Sequence, residues 1–170
     1  MNYFLNRKEK SNKELIEQII LENYNQYYRL AYSYVHNDAD ACDIVQNGAY
    51  KALRSSHTLK NPEYAKTWIY RIMLNECFRY FKEPQLLSWE ETREEEKNGS
   101  FEDSYSNIDL QKAINALSSQ DKAVIILKYF EDKKLEEIAD ILEENVNTVK
   151  SRLYRGMKKL RLTLSDEADE

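Results

Sequence analysis

The sequence predicts an all-α protein, and three observations carry that expectation. Only 3 Gly and 2 Pro occur in 170 residues, too few for the tight turns that sandwiches, barrels and propellers need. Apolar residues recur at three- and four-residue spacing through most of the chain, the period of a helix with one buried face. The chain is 42% hydrophobic and 32% charged, which supplies both a core and solvated helix faces. Its 13 Tyr also set it apart from the aromatic-poor composition of disordered chains.

Ser11-Asn12-Lys13-Glu14 reads as a capping box that opens a long first helix, with an apolar face running from Leu15 to Tyr34. Asn37-Asp38 then supplies a stop and a new N-cap. The second helix is expected to bury Cys42, Val45, Ala49, Ala52 and Leu53, leaving Asp43 and Gln46 exposed. Gly48 inside it costs about 1 kcal/mol against Ala. Asn61-Pro62-Glu63 combines an N-cap, a Pro at the first helical position and an early acid. The third helix runs from there to Pro84, with Ala65, Trp68, Ile69, Ile72, Met73 and Phe81 on its apolar face.

Helical period is lost over 85–107, where acids gather, and it resumes from Leu110. Such a stretch is too long for a loop inside one compact unit. The expected organisation is therefore two small helical domains, 1–83 and 108–170, joined by an acidic linker over 84–107. The three parts carry net charges of +2, −5 and −2. The overall balance of −5 hides a basic stretch, since 147–161 holds six Lys or Arg and no acid. A basic stripe along one helix is the footprint of phosphate binding, whatever the overall balance.

Metal, redox and membrane chemistry find little here. Cys42 and Cys77 form no CxxC pair, and His36 and His57 stand apart from other ligand types. The longest uncharged apolar runs, such as Ala123–Leu127, are far short of a bilayer span. The N-terminus lacks the apolar segment of a secretory leader. These features predict a soluble cytoplasmic protein with no cofactor, no metal and no catalytic residue of its own.

In the second half, 135–142 followed closely by 145–155 has helix-turn-helix spacing. Ile138, Ala139 and Leu142 pack the first helix, and Val149 and Leu153 point inward from the second. Thr148, Lys150, Ser151, Arg152, Tyr154 and Arg155 are left facing outward. Such side chains donate to phosphates and base edges in a major groove.

Ala116-Leu117-Ser118, Val124–Tyr129, Glu137-Ile138-Ala139 and Thr148–Arg155 together resemble the promoter-distal domain of extracytoplasmic-function (group 4) RNA polymerase sigma factors. Arg29–Tyr32, Asp43-Ile44-Val45-Gln46 and Thr67–Ile72 with Asn75 resemble the first domain of the same family, in order and spacing. The pattern is most similar to a Firmicute-type subgroup. The resemblance implies an alternative sigma factor that binds core RNA polymerase and directs promoter-specific initiation, acting on duplex and melted promoter DNA.

By the same resemblance, Asp43 and Gln46 match the helix that grips the polymerase clamp. Lys66, Trp68, Tyr70, Arg71 and Asn75 match the −10 reading face of sigma region 2, and the six outward residues of the last helix match −35 reading by region 4. The acidic linker corresponds to the segment that threads the RNA exit path. A membrane-bound anti-sigma factor is the implied regulator, with no membrane insertion by the chain itself. Three departures stand out. Glu143 and Glu144 occupy a turn that in the family has Gly then an apolar residue, so a non-Gly residue is strained or the turn changes. Asn47-Gly48 follows Gln46 where the family continues with an acid and Thr or Ser, and Gly156 stands where Ala is usual. A stand-alone helix-turn-helix regulator leaves Asp43–Gln46 and Trp68–Asn75 unexplained. A helical hydrolase lacks a carboxylate pair or nucleophile motif.

Overall fold

The computed structural model describes residues 2–82 and 109–166, with side chains over 11–80 and 109–164. The expected linker at 84–107, the Pro84 stop, the Phe81 side chain and the acidic tail after 166 lie outside the described residues. Those residues form an all-α fold. It comprises α1 (Asn2–Glu22), α2 (Tyr24–Val35), α3 (Asp38–Arg54), α4 (Ala65–Lys82), α5 (109–115), α6 (Ser119–Ile125), α7 (Leu135–Leu142) and α8 (Val146–Asp166). Two 3₁₀ turns, Ser56–Thr58 and Pro62–Tyr64, connect α3 to α4. A π-helical turn, Ile126–Phe130, continues α6 and closes with Glu131 N–H donating to the Ile126 carbonyl at 3.1 Å.

The first helix differs from the expectation at both ends. It does not open at Ser11; the helix already runs through that point, and Asn12 is buried rather than capping. Nor does it continue to Tyr34. Asn23 leaves helical geometry, and its side-chain amide donates back to the Ile19 carbonyl at 2.8 Å, splitting α1 from α2. The Asn37 stop forms as expected: His36 turns left-handed and the Asn37 carboxamide accepts from Asp40 N–H at 3.0 Å. Asn61 likewise accepts from Glu63 N–H at 3.1 Å, with Pro62 at the first position.

On α3 the buried face is Ala41, Ile44, Val45, Gly48 and Ala52, rotated from the expected stripe, so Cys42, Ala49 and Leu53 only flank it. Gly48 is thereby explained. A Cβ there would sit 2.3 Å from Met73 Sδ, so its absence lets α3 lie close against α4. On α4, Ala65, Ile69, Met73 and Cys77 are buried as a stripe; Trp68 and Ile72 are half-buried at its edge. Cys77 is a packed apolar thiol, its pKa pushed up to about 12 by burial.

One continuous buried cluster runs from Ile16, Tyr27 and Tyr34 through α4 into Val124, Leu127, Ile138 and Val149. The two halves therefore share apolar packing, chiefly where α4 meets α7. A smaller cluster of Ala113, Ile114, Leu117, Ile125 and Leu160 joins α5, α6 and α8. Phe130, at the end of the π turn, is 56% exposed. Among the described residues, no helix is long and apolar enough to cross a membrane, and no cluster of His, Cys, Asp and Glu suits a metal ion.

Candidate nucleic-acid interface

Two surfaces hold most of the residues expected to meet DNA. The first is a cleft of about 350 Å³ between the α3–α4 connection and the start of α4, walled by Thr58, Lys60, Asn61, Tyr64 and Trp68. The connection folds this way because Ser55, Ser56 and Asn61 bond the backbone locally. Thr58 N–H reaches the Ser55 carbonyl at 2.8 Å, and Tyr64 N–H reaches the Asn61 carbonyl at 3.1 Å. Tyr64 is 57% exposed and Lys66 is exposed beside it. An aromatic edge, amides and a cation around a concave space are suited to an unstacked base and its phosphate.

Arg71 and Asp140 complete the rim, and here the second half intrudes. The Arg71 guanidinium donates to the Ile141 carbonyl at 3.2 Å and the Asp140 carbonyl at 2.7 Å, and pairs with Glu143 at 2.7 Å. A cation on the carboxyl end of α7 is favoured by the helix dipole. The Arg71 guanidinium is therefore engaged by α7 and the turn after it in this arrangement, with about a third of the side chain left exposed.

Tyr70 departs further from its expected place. It is buried, its hydroxyl lies 2.9 Å from Gln26 Oε1 and 3.1 Å from Glu131 Oε2, and its ring packs edge-on to Tyr27 with Lys133 over it. The apolar period assigns Tyr70 no face, because a tyrosine satisfies a buried site as readily as a base-stacking one. The Glu131 carboxyl is held above the usual range by burial, opposed by the Tyr70 hydroxyl and then Arg29. Asn75 is exposed on a neighbouring stretch of α4, beside an open cavity of about 520 Å³ that also contains Lys51, Arg54 and Glu76. Glu76 is buried and paired with Lys51 and, at 2.8 Å, with Arg79.

The second surface is α8. Asn145 caps it by accepting from Thr148 N–H at 2.8 Å, and Val149 and Gly156 face inward. A Cβ at Gly156 would meet Ile125 Cγ1 at 3.1 Å, so the usual Ala would press on that side chain. The turn before α8 keeps the left-handed geometry normally given to Gly: Glu143 adopts φ 56°, ψ 38°. Strain of about 1 kcal/mol is typical for such a residue.

Lys150, Ser151 and Tyr154 are exposed on α8, and Thr148 is half-buried at its start. Arg152 and Arg155 are differently placed from the expectation of an outward row. Arg152 donates twice to Glu144, at 2.8 and 2.7 Å. Arg155 grips Asp121 of α6, with Nε at 2.8 Å from Oδ2. Asp121 is buried, and the Arg155 hydrogen bond holds its carboxyl below the usual range. Sequence spacing places these arginines on the polar face but does not identify the acids opposite them, which come from another helix and from the turn.

On α3, Asp43 and Gln46 both stand exposed, while Ile44 and Val45 between them are buried.

Residues 19–85 match the family described as Sigma-70 region 2, and residues 107–160 match Sigma-70, region 4. The chain is similar to the RNA polymerase sigma factor SigV of Bacillus subtilis, at 42% identity covering 95% of this chain and 98% of the relative. It is 29% identical to the extracytoplasmic-function sigma factor SigW of the same organism, covering 92% of each. Among solved structures, CnrH, captured with the cytosolic domain of CnrY, superposes with a TM-score of 0.71 at 18% identity, covering 98% of this chain and 96% of that one. RpoE of Bartonella quintana, crystallised with the anti-sigma factor NepR, gives 0.66 at 23% identity, covering 88% and 96%.

Proposed function

The chain belongs to the extracytoplasmic-function RNA polymerase sigma factors, and on that premise we propose how its residues divide the work. As a sigma factor it binds core RNA polymerase and directs promoter-specific initiation at −10 and −35 DNA. The first domain, 1–83, grips the polymerase through Asp43 and Gln46 and reads the −10 element. The linker 84–107 threads the RNA exit path, and the second domain, 108–170, reads the −35 element. The chain has no enzymatic role of its own and acts in the cytoplasm.

The observation that carries the −10 assignment is the cleft beside α4, where Trp68, Tyr64 and Asn61 surround a space open to an extruded base. Lys66 supplies a phosphate contact, and Asn75 follows the strand along α4. Arg71 joins only after it leaves the carboxyl end of α7, so capture of melted DNA requires the halves to part. Tyr70 acts from the core by supporting α4, not by touching bases. In the second domain Lys150, Ser151, Tyr154 and Thr148 make the first contacts with the −35 groove. Arg152 and Arg155 reach DNA by exchanging Glu144 and Asp121 for phosphates.

Regulation by an anti-sigma factor anchored in a membrane fits the same reading. CnrH and RpoE were each solved with a bound partner. Here a mostly apolar hollow of about 290 Å³, lined by Tyr28, Tyr32, Ile114 and Phe130, opens between α2 and the π turn.

Reconstitution with core RNA polymerase tests the proposal. Wild-type holoenzyme should transcribe from selected promoters, and Trp68→Ala with Asn61→Ala should abolish opening while −35 duplex binding persists. Asp43→Ala with Gln46→Ala should weaken polymerase binding with stability unchanged within about 0.5 kcal/mol. Normal opening by the cleft variant refutes the −10 assignment, and normal polymerase affinity of the α3 variant refutes the clamp assignment.

A further inference from the structure

We propose that Asn12 of α1 is a positioning residue for promoter-base selection: its buried carboxamide fixes the α3–α4 connection, and through it the shape of the base-reading cleft. The proposal rests on the −10 assignment of that cleft. Asn12 is 4% exposed, and its single nitrogen donates both protons, to the Ser56 carbonyl at 3.2 Å and the Leu59 carbonyl at 3.0 Å. These acceptors lie 44 and 47 residues away in sequence, so the contact is tertiary, not part of a local turn.

The connection's own hydrogen bonds are local, such as Thr58 Oγ1 donating to the Ser55 carbonyl at 2.7 Å. Ser56–Thr58 makes one 3₁₀ turn, after which Leu59 runs extended at φ −69°, ψ 104°. Buried side chains of Ser56 and Leu59 pin its inner edge, and Asn61 caps the following turn. Lys60, between these anchors, lines the cleft together with Thr58 and Asn61. Asn12 grips the wall from behind, one bond on each side of Thr58, and does not itself line the cleft.

The chemistry is specific to an amide. A neutral carboxamide nitrogen presents two diverging donors, which two carbonyls three residues apart can accept together; an isosteric carboxylate presents none. Losing them leaves two buried carbonyls without this partner and frees the wall to move. Base discrimination depends on polar groups held at fixed positions, so a slackened wall should read its base less strictly even in a folded chain.

Holoenzyme reconstituted from the full chain and core RNA polymerase first selects its promoter from a duplex library randomised at both elements. Run-off transcription is then compared on that promoter and on single-base substitutions in each element. The wild type should discriminate about tenfold at the best-read −10 base. Asn12→Ala and Asn12→Asp should each lower that ratio to about twofold, leaving ratios at −35 bases unchanged. Asn12→Ser, which keeps one donor, should fall between, and it carries the test if either other variant fails to fold. A loss by the same factor on every promoter, with the −10 ratio intact, overturns the proposal and makes Asn12 only a stabilising residue. Asn61→Ala and Trp68→Ala separate the two levels of argument. If they lower the −10 ratio and no Asn12 variant does, the positioning role fails alone. If they too leave it unchanged, the cleft reads no base and both readings fall.

Discussion

In the first half the cleft beside α4 is walled by a connection pinned from behind, and its rim is covered by the carboxyl end of α7. In the second half α8 stands clear along Lys150, Ser151 and Tyr154, but two of its guanidiniums are turned onto Glu144 and Asp121. The first surface is shaped in advance and obstructed; the second is accessible and partly neutralised by its own chain. Unblocking the first means parting packed helices, whereas unblocking the second needs only side-chain rotation. That is consistent with duplex DNA meeting α8 before a melted strand enters the cleft.

The largest expected effect comes from untying α8. Asp121→Ala leaves Arg155 without its acid and removes an ion pair between α6 and α8, while Arg152 keeps Glu144. It should cost about 2–3 kcal/mol, less than breaking a fully buried pair because Arg155 remains half in water. Chemical denaturation measures this. At a temperature where the variant stays folded, its affinity for −35 duplex should be equal or higher. A sharp fall would mean that Asp121 holds the arginines in their reading position rather than away from it.

The seam between the halves is probed by Lys122, which is buried, bonded to Asn115 at 2.6 Å and placed over the Tyr34 ring of α2. Burial lowers its pKa to about 8, with the nearby Cys77 acting in the opposite direction. The unfolded chain therefore holds this proton up to pH 10.5 while the folded chain releases it from about 8. Its contribution thus makes stability rise with pH across that window. Lys122→Met should be more stable than wild type by about 1–2 kcal/mol at pH 7, and thermal melts should show the gain shrinking between pH 8 and 10.5. A gain independent of pH would assign the effect to packing alone.

A smaller effect is expected at the cover itself. Glu143→Gly relieves left-handed strain of about 1 kcal/mol and removes an exposed ion pair with Arg71 worth about 0.5 kcal/mol. Melting should barely move. Binding of a single-stranded −10 oligonucleotide by the isolated chain should rise; unchanged binding would show that Glu143 does not help hold the cover.

Smallest in stability is Lys150→Ala, within about 0.5 kcal/mol of wild type. The slope of −35 binding against salt should fall by about one unit if Lys150 contacts a phosphate. No change in slope would move the phosphate contact to another residue of α8.

Much of this was legible in the residues alone. The all-α class follows from scarce Gly and Pro with helical apolar period, and the Asn37 and Asn61 starts follow from local capping chemistry that needs no neighbour. The exposure of Asp43 and Gln46 was recovered although the buried stripe on α3 is rotated from the expected one, because either phase leaves those two outside. Where the reading failed, a distant partner was responsible. Ser11–Glu14 has the letters of a capping box, yet Asn12 bonds carbonyls more than forty residues away. Tyr70 lies among polar and aromatic residues suited to DNA, but Gln26 and Glu131 claim its hydroxyl.

By itself, then, the sequence determined the all-α class, the capped starts at Asn37 and Asn61, the basic stripe on α8 and the family, since each depends on neighbours within a few turns or on motif order. Only the tertiary structure decided that Gly48 admits Met73, that Asp121 holds Arg155, that Glu143 accepts a left-handed backbone and pairs with Arg71, and that the end of α7 meets the rim of the cleft beside α4. The physical reason is range. Propensity and periodicity act over about four residues along one helix. The partner of a buried amide or a guanidinium is chosen by how helices remote in sequence come to lie against one another.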